Sequence, residues 1–286
     1  MIFYKMHGLQ NDFIIIENMK RQICLTKTQI AFLCNRKEGI GADGLILVEP
    51  SEMADIRMKY FNSDGSIAQV CGNGLRCTAK YAYDEKLVQK AQMCIESEGR
   101  SYEAAVVALD DEKKVDIVCV NMGKAVFESE KIPICISDKT ALDVSVMLGD
   151  EAICLSAAAF PNPHAVLIGQ DWDRDEMEKI GAKLQQHTLF PQQVNVNFVI
   201  IKNRKEAEIS TYERGVGMTM ACGSGACATG AVLHKKGLVD SEVLMRLPGG
   251  ALKIKISENG DVLMTGKATF VFKGTIEQKG RQKTDE

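Results

Sequence analysis

Hydrophobic residues along the chain come in short, dense runs separated by polar turns, and only a few stretches carry helical spacing. IFYKM (2–6), FIIIE (13–17) and LILVE (45–49) have the length and branched apolar content of buried strands. KTQIAFLCNRK (27–37) reads as a helix. DRDEMEKIGAKLQQH (173–187) opens on acids, ends polar and basic, and spaces its apolar residues for one face, which predicts an amphipathic surface helix. This mixture predicts an α+β chain. No low-complexity linker interrupts it, and GRQKTDE at the end is expected to fray.

Before local propensities are weighed further, an internal repeat constrains the architecture. CGNGLRCTAKYAYDEKLV from Cys71 and CGSGACATGAVLHKKGLV from Cys222 align without gaps, an offset of 151 (222 − 71). At that same offset Asn11 in QNDF falls on Asn162 in PNPH, and Phe61 falls on Tyr212. One offset spanning both halves points to duplication.

In both copies a glycine-rich turn opens a helical stretch, LRCTAKYAYDEK in one half and ACATGAVLHKK in the other, so Cys71 and Cys222 each fall at a helix N-terminus. Unpaired backbone N–H groups and the positive end of the helix dipole favour an anion there. A cysteine so placed is expected to ionise below its ordinary value of about 8.5. Two such turns facing each other across a cleft would set two thiols and two sets of N–H donors around one small molecule. That arrangement suits racemisation: one thiolate removes the hydrogen beside a carboxylate, the opposite thiol returns a proton, and the fixed dipoles stabilise the carbanion between them. Taken alone, a single such turn is no more than a tight turn before a helix; the matched pair carries the inference.

Composition narrows the field. The chain has 286 residues and a net charge of −3, with 35 Lys plus Arg against 38 Asp plus Glu. Such a balance gives no basic field for nucleic acid or anionic membrane. Neither a basic leader with an apolar core nor an apolar run of about 18 residues is present, so a cytoplasmic protein is expected. Ten cysteines without an export signal read as reduced thiols. Of these, Cys24, Cys34, Cys94, Cys119, Cys135 and Cys154 sit singly among apolar neighbours and are expected to pack as small hydrophobes. Cys77 and Cys227 are out of register in the repeat and read as helix-packing residues. Their spacings from Cys71 and Cys222 do not match zinc knuckles, so no metal is expected. GIGADG (39–44) has a dinucleotide-like glycine pattern but precedes a strand and opens no helix, so no nucleotide cofactor is assigned to it.

These residues resemble the diaminopimelate epimerase family, through KMHGLQNDF, GIGADGLILVEP, YFNSDGSIAQVCGNGLRC, NPH, VNVNF, YERGVGMTMACGSGACA and LPGG, spread over nearly the whole chain. The resemblance implies two pseudo-symmetric lobes, each a β-barrel-like sheet around a central helix, with the site between them. It places the N-terminal lobe at 1–119, joined by the returning segment 267–286, and the C-terminal lobe at 120–266. It implies interconversion of LL- and meso-diaminopimelate without pyridoxal phosphate, metal or other cofactor. Cys71 and Cys222 would be the acid/base pair, assisted by His164 and Glu213. Gly72, Asn73, Gly223 and Ser224 would offer N–H groups to the reacting carboxylate. Asn11, Asn62, Asn162, Asn195, Glu213 and Arg214 would hold the substrate, chiefly at its unreactive end.

Three positions depart from the family pattern: Gln10 and Pro161 stand where glycine is usual, and Met218 where many members carry glutamate. The first two adjoin Asn11 and Asn162, so they bear on substrate preference and leave a racemase for another amino acid open. A non-catalytic amino-acid-binding protein of the same fold is a further alternative, disfavoured because binding alone needs no opposed thiols. A homodimer is left open.

Overall fold

The computed structural model describes residues 1–68 and 70–277. The first half runs β1 (Ile2–Gly8), β2 (Asn11–Glu17), α1 (Lys27–Cys34), β3 (Gly44–Glu49), β4 (Ile56–Asn62), α2 (Gly72–Asp84), β5 (Gln92–Ser97), β6 (Arg100–Leu109) and β7 (Val115–Lys124). The second runs β8 (Val144–Leu148), β9 (Glu151–Ala159), β10 (Pro163–Gly169), α3 (Arg174–Gln185), β11 (Asn195–Asn203), β12 (Glu206–Glu213), β13 (Gly217–Thr219), α4 (Gly223–Lys235), β14 (Glu242–Leu247), β15 (Gly250–Ile256) and β16 (Asp261–Lys267). A last strand, β17 (Thr269–Thr275), pairs antiparallel with β1.

The repeat seen in the sequence is a repeat of strand pairing. β2 runs parallel to β3 with Phe13 opposite Gly44, and β10 runs parallel to β11 with His164 opposite Asn195, each 151 positions on (164 − 13 and 195 − 44). The following antiparallel pairs, β3–β4 and β11–β12, and the parallel pairs β4–β5 and β12–β14, recur in the same order. The halves share a seam where β7 pairs with β16, Cys119 opposite Thr265 and Val118 opposite Gly266.

Each half wraps its strands around one buried helix. Every residue of α2 from Gly72 to Ala82 is buried, and so is most of α4 through Leu233. α2 packs against β1, β2 and β4 to β7, while α4 packs against β9, β10, β11 and β14 to β16. Both helices and their strands belong to one apolar core. The run FIIIE explains how layers form on both faces of β2: Phe13 and Ile15 point into that core, while Ile14 and Ile16 point into a second cluster under α1.

The two helices expected outside the cysteine clusters are present with caps that explain their ends. Thr26 and Gln29 form a reciprocal capping box on α1. That helix stops at Cys34, short of the expected Lys37, because Asn35 turns its side-chain oxygen to the N–H groups of Lys37 and Glu38. Asp173 caps α3, which buries Met177, Gly181 and Leu184 on one face. Packing accounts for fewer lone cysteines than expected. Cys34 is buried, but Cys24, Cys135 and Cys154 are exposed, because they lie on loops or on the outward face of β9. GRQKTDE lies outside the described residues. Among the described residues no helix is long and apolar enough to cross a membrane.

The tip of the β1–β2 hairpin carries Asn11. Its two loop residues, Leu9 and Gln10, have φ of +55° and +67°, the left-handed region that a two-residue hairpin turn demands and that side chains resist. Leu9 is held there from the other half of the molecule. A Cβ on Gly249 would lie 2.4 Å from the Leu9 carbonyl oxygen, and one on Gly250 would lie 2.6 Å from Leu9 Cδ2. The glycines of LPGG thus exist to let the hairpin tip seat. Gln10 is exposed, so its strain is not offset by burial. Gln10→Gly is expected to raise unfolding stability by about 1 kcal/mol, measured by thermal or urea unfolding, whereas Leu9→Gly is expected to lower it by about 2 kcal/mol through lost burial.

Candidate active site

Between the N-terminal ends of α2 and α4 lies a cleft of about 830 Å³. Both helix starts pack on Met264: a Cβ at Gly72 would meet Met264 Cε at 2.5 Å, and one at Gly223 would meet Met264 Sδ at 3.2 Å. Glycine at these positions is therefore what allows two helix ends to converge on one space. Cys71 and Cys222 are the N-cap residues of the two helices, both with extended backbone, and both face the cleft.

Of the residues assigned from the sequence, Asn11, Asn62, Gly72, Asn73 and Asn162 line this cleft, together with Glu213, Arg214, Gly223 and Ser224. His164 and Asn195 do not. They are buried on adjacent strands behind it. Asn195 accepts the backbone N–H of Arg214 at 2.9 Å and donates to the Pro163 carbonyl at 3.3 Å, so it ties down the loop that presents Arg214. The His164 ring meets Asn162 Oδ1 at 3.1 Å through Nε2 and the Asn197 side-chain amide at 3.3 Å through Nδ1. Burial, reinforced by Arg214, pulls its pKa down to about 3, so it is a neutral imidazole that orients Asn162.

The first half-site is a polar chain. The Cys71 thiol donates to Asn11 Oδ1 at 3.5 Å, and Asn73 Nδ2 donates to the same oxygen at 3.1 Å. Asn11 Nδ2 donates to Asp43 at 2.9 Å, and Asp43 in turn accepts from Arg36 at 2.8 Å. In the second half-site the Gly225 N–H donates to Cys222 Sγ at 3.4 Å, Ser224 Oγ lies 3.5 Å from the same sulfur, and Thr219 donates to Glu213 at 2.7 Å.

Charge on the thiols runs against the expectation from helix position. Burial pushes both pKa values up, that of Cys222 well above its ordinary value. For Cys71 the N–H groups of Gly74 and Asn73 and the Arg76 guanidinium pull the other way without winning. For Cys222 the neighbouring Glu213 carboxylate adds to the rise. Loss of water outweighs the favourable dipoles, a tertiary effect that sequence position does not reveal. The Glu213 carboxyl is itself pushed up by burial. A mechanism that needs one thiolate should therefore gain rate with pH: the acidic limb of kcat/KM is expected to lie above about pH 8.5, where an ordinary cysteine ionises. A plateau already reached at pH 7 would contradict it.

Several contributors carried no sequence assignment. Asp43 and Arg36 lie in or beside GIGADG and line the cleft mouth. Asn197, two residues after Asn195 in VNVNF, binds His164, the Ala165 carbonyl and Thr211. The alternation of VNVNF was the available signal, since it puts both asparagines on one face of a strand. All three departures from the family pattern, Gln10, Pro161 and Met218, line the cleft.

Known proteins resemble the chain over nearly its whole length. The family profile described as diaminopimelate epimerase matches residues 3–128 and 157–271. A diaminopimelate epimerase from Alkaliphilus metalliredigens is 39% identical, over 95% of this chain and 96% of its own length. One from Caldanaerobacter subterraneus subsp. tengcongensis is 38% identical over 97% and 100%. In fold, the chain is similar to the crystal structure of a probable proline racemase from Agrobacterium radiobacter, with a TM-score of 0.69 and 13% identity over 99% of this chain and 94% of that one. With its matched Cys-Gly turns, its two-helix cleft and relatives similar over almost their whole length, the chain belongs to the diaminopimelate epimerase family.

Proposed function

We propose that this enzyme interconverts LL- and meso-diaminopimelate using Cys71 and Cys222 as opposed acid and base. The observation that supports it best is that two pseudo-equivalent helix starts, each capped by a cysteine, open on one cleft. The reacting carboxylate would rest against the N–H groups of Gly72, Asn73, Gly223 and Ser224. These fixed dipoles stabilise the charge that develops as the α-hydrogen leaves. One sulfur takes that hydrogen and the other delivers a proton to the opposite face. Glu213 beside Cys222 would assist by holding that sulfur in its protonated, donating form. The distal amino-acid end would be held by Arg214 and the amides of Asn62 and Asn162, with His164 and Asn195 orienting them from behind. No group outside the chain is needed in this scheme.

The division into lobes at 119/120 and 266/267 fits this reading. Both borders fall inside the paired strands β7 and β16, within two residues of facing one another, since Cys119 lies opposite Thr265 and Gly266 opposite Val118. We place the protein in the cytoplasm, where reducing conditions keep the active thiols free.

Purified enzyme incubated with a panel of L- and D-amino acids and resolved by chiral chromatography tests the substrate. Diaminopimelate is expected to invert at a kcat/KM at least about 100-fold above lysine, ornithine and proline. Preferential turnover of another amino acid would favour the alternative that Gln10 and Pro161 have shifted specificity.

A further inference from the structure

Among the described residues Arg76 is the largest fully buried side chain, and no carboxylate pairs with it. Its fork reaches only neutral groups: Nη2 donates to Asn73 Oδ1 at 2.7 Å, Nε to the Lys267 carbonyl at 3.3 Å, and Nη1 lies 3.4 Å from Met264 Sδ. A buried ion without a counter-charge is costly, and an apolar side chain of equal volume would serve packing better. Nor does the fold itself require arginine. The pseudo-equivalent position on α4 is Cys227 (76 + 151), equally buried.

What Arg76 does supply is direction. A guanidinium can only donate, so Asn73 must turn its oxygen toward Arg76 and its Nδ2 toward Asn11. Asp43 can only accept, so Asn11 must turn its Nδ2 to Asp43 and its oxygen to the cleft. The two amides, either of which could otherwise flip, are locked between a cation and an anion. The oxygen so fixed is the one that receives the Cys71 thiol.

We propose that Arg76 is a positioning residue for the reacting end of the site, acting through Asn73 and Asn11 to hold Cys71 in its working orientation. This rests on the two-thiol reading above. No direct contact with substrate is involved, so its effect belongs on turnover and not on binding.

The test is steady-state kinetics and thermal unfolding of Arg76→Met, Arg76→Lys and Asn73→Asp. Arg76→Met is expected to lose about 100-fold in kcat with KM changed less than about threefold, and to hold or raise its unfolding temperature, as apolar replacement of a buried ion often does. Arg76→Lys, which keeps a donor but not the fork, is expected to recover part of that loss. Asn73→Asp leaves Arg76 in place and gives it a counter-charge. It is expected to unfold at a higher temperature yet lose kcat, because a carboxylate has no N–H for Asn11. If Arg76→Met keeps kcat within about twofold of the parent, the proposal is wrong. Should that variant not fold, Asn73→Asp decides: retained kcat overturns the proposal and lost kcat in a stabilised protein supports it. Cys71→Ala and Cys222→Ala, assayed beside them, separate the two failures. If those remain active, the two-thiol reading has failed; if they are inactive while Arg76→Met and Asn73→Asp are not, only the role of Arg76 has.

Discussion

Cys71→Ala and Cys222→Ala are each expected to lower epimerisation by about three orders of magnitude in both directions, because each removes the base for one epimer and the acid for the other. The stronger form of this expectation is isotopic. With separate acceptor and donor, the hydrogen taken from substrate stays on one sulfur while the other sulfur, already exchanged with solvent, supplies the new proton. In heavy water, starting from one pure epimer, early product should carry deuterium at the inverted carbon while unreacted substrate remains unlabelled, as read by proton NMR or mass spectrometry. Product that kept its original hydrogen would mean that a single base returns what it removes, and the duplicated turns would then have no catalytic meaning. The same two thiols should make activity sensitive to mild oxidants and recoverable with a reductant.

Arg214→Met carries the second large effect. The Arg214 backbone is anchored to Asn195 and its Nη1 to the Gln192 carbonyl at 3.0 Å, which leaves the rest of the guanidinium at the cleft for a carboxylate. Loss of a charge-assisted, two-point contact is expected to lower kcat/KM for diaminopimelate about 100-fold, close to 2.7 kcal/mol. Lysine, which lacks the distal carboxylate, provides the control. The parent should prefer diaminopimelate over lysine by about that factor, and the variant should lose the preference. If Arg214→Met still discriminates between the two, some other group holds the distal end.

Much of this arrangement was readable before the fold was known, for local reasons. A glycine-rich turn followed by an apolar helix declares its own N-terminus, so the position of Cys71 and Cys222 as helix caps follows from a dozen residues each. The repeat then required the two caps to be equivalent. What escaped depends on surroundings that no short segment contains. The thiol pKa values rise because tertiary packing desolvates the helix ends. His164 is buried behind the cleft with its ring against Asn162, a placement the motif did not show. Arg76, within LRC, had the sequence appearance of an ordinary helix residue until burial without a counter-charge set it apart. The left-handed backbone at Gln10 is a position that glycine would adopt without strain, which the motif alone did not show.

The closing of β1 onto β17 has a kinetic side. Ile2 pairs with Thr275, so the first strand described has the last one described as its second neighbour. Until that neighbour emerges, β1 presents an unpaired edge flanked by the apolar Phe3, Tyr4 and Met6, a ready template for the wrong partner. Contacts this distant in sequence also slow folding. The hairpin that carries Asn11 is therefore completed only when β17 docks on it. A chain whose β17 has not yet docked exposes this edge and is the form expected to aggregate.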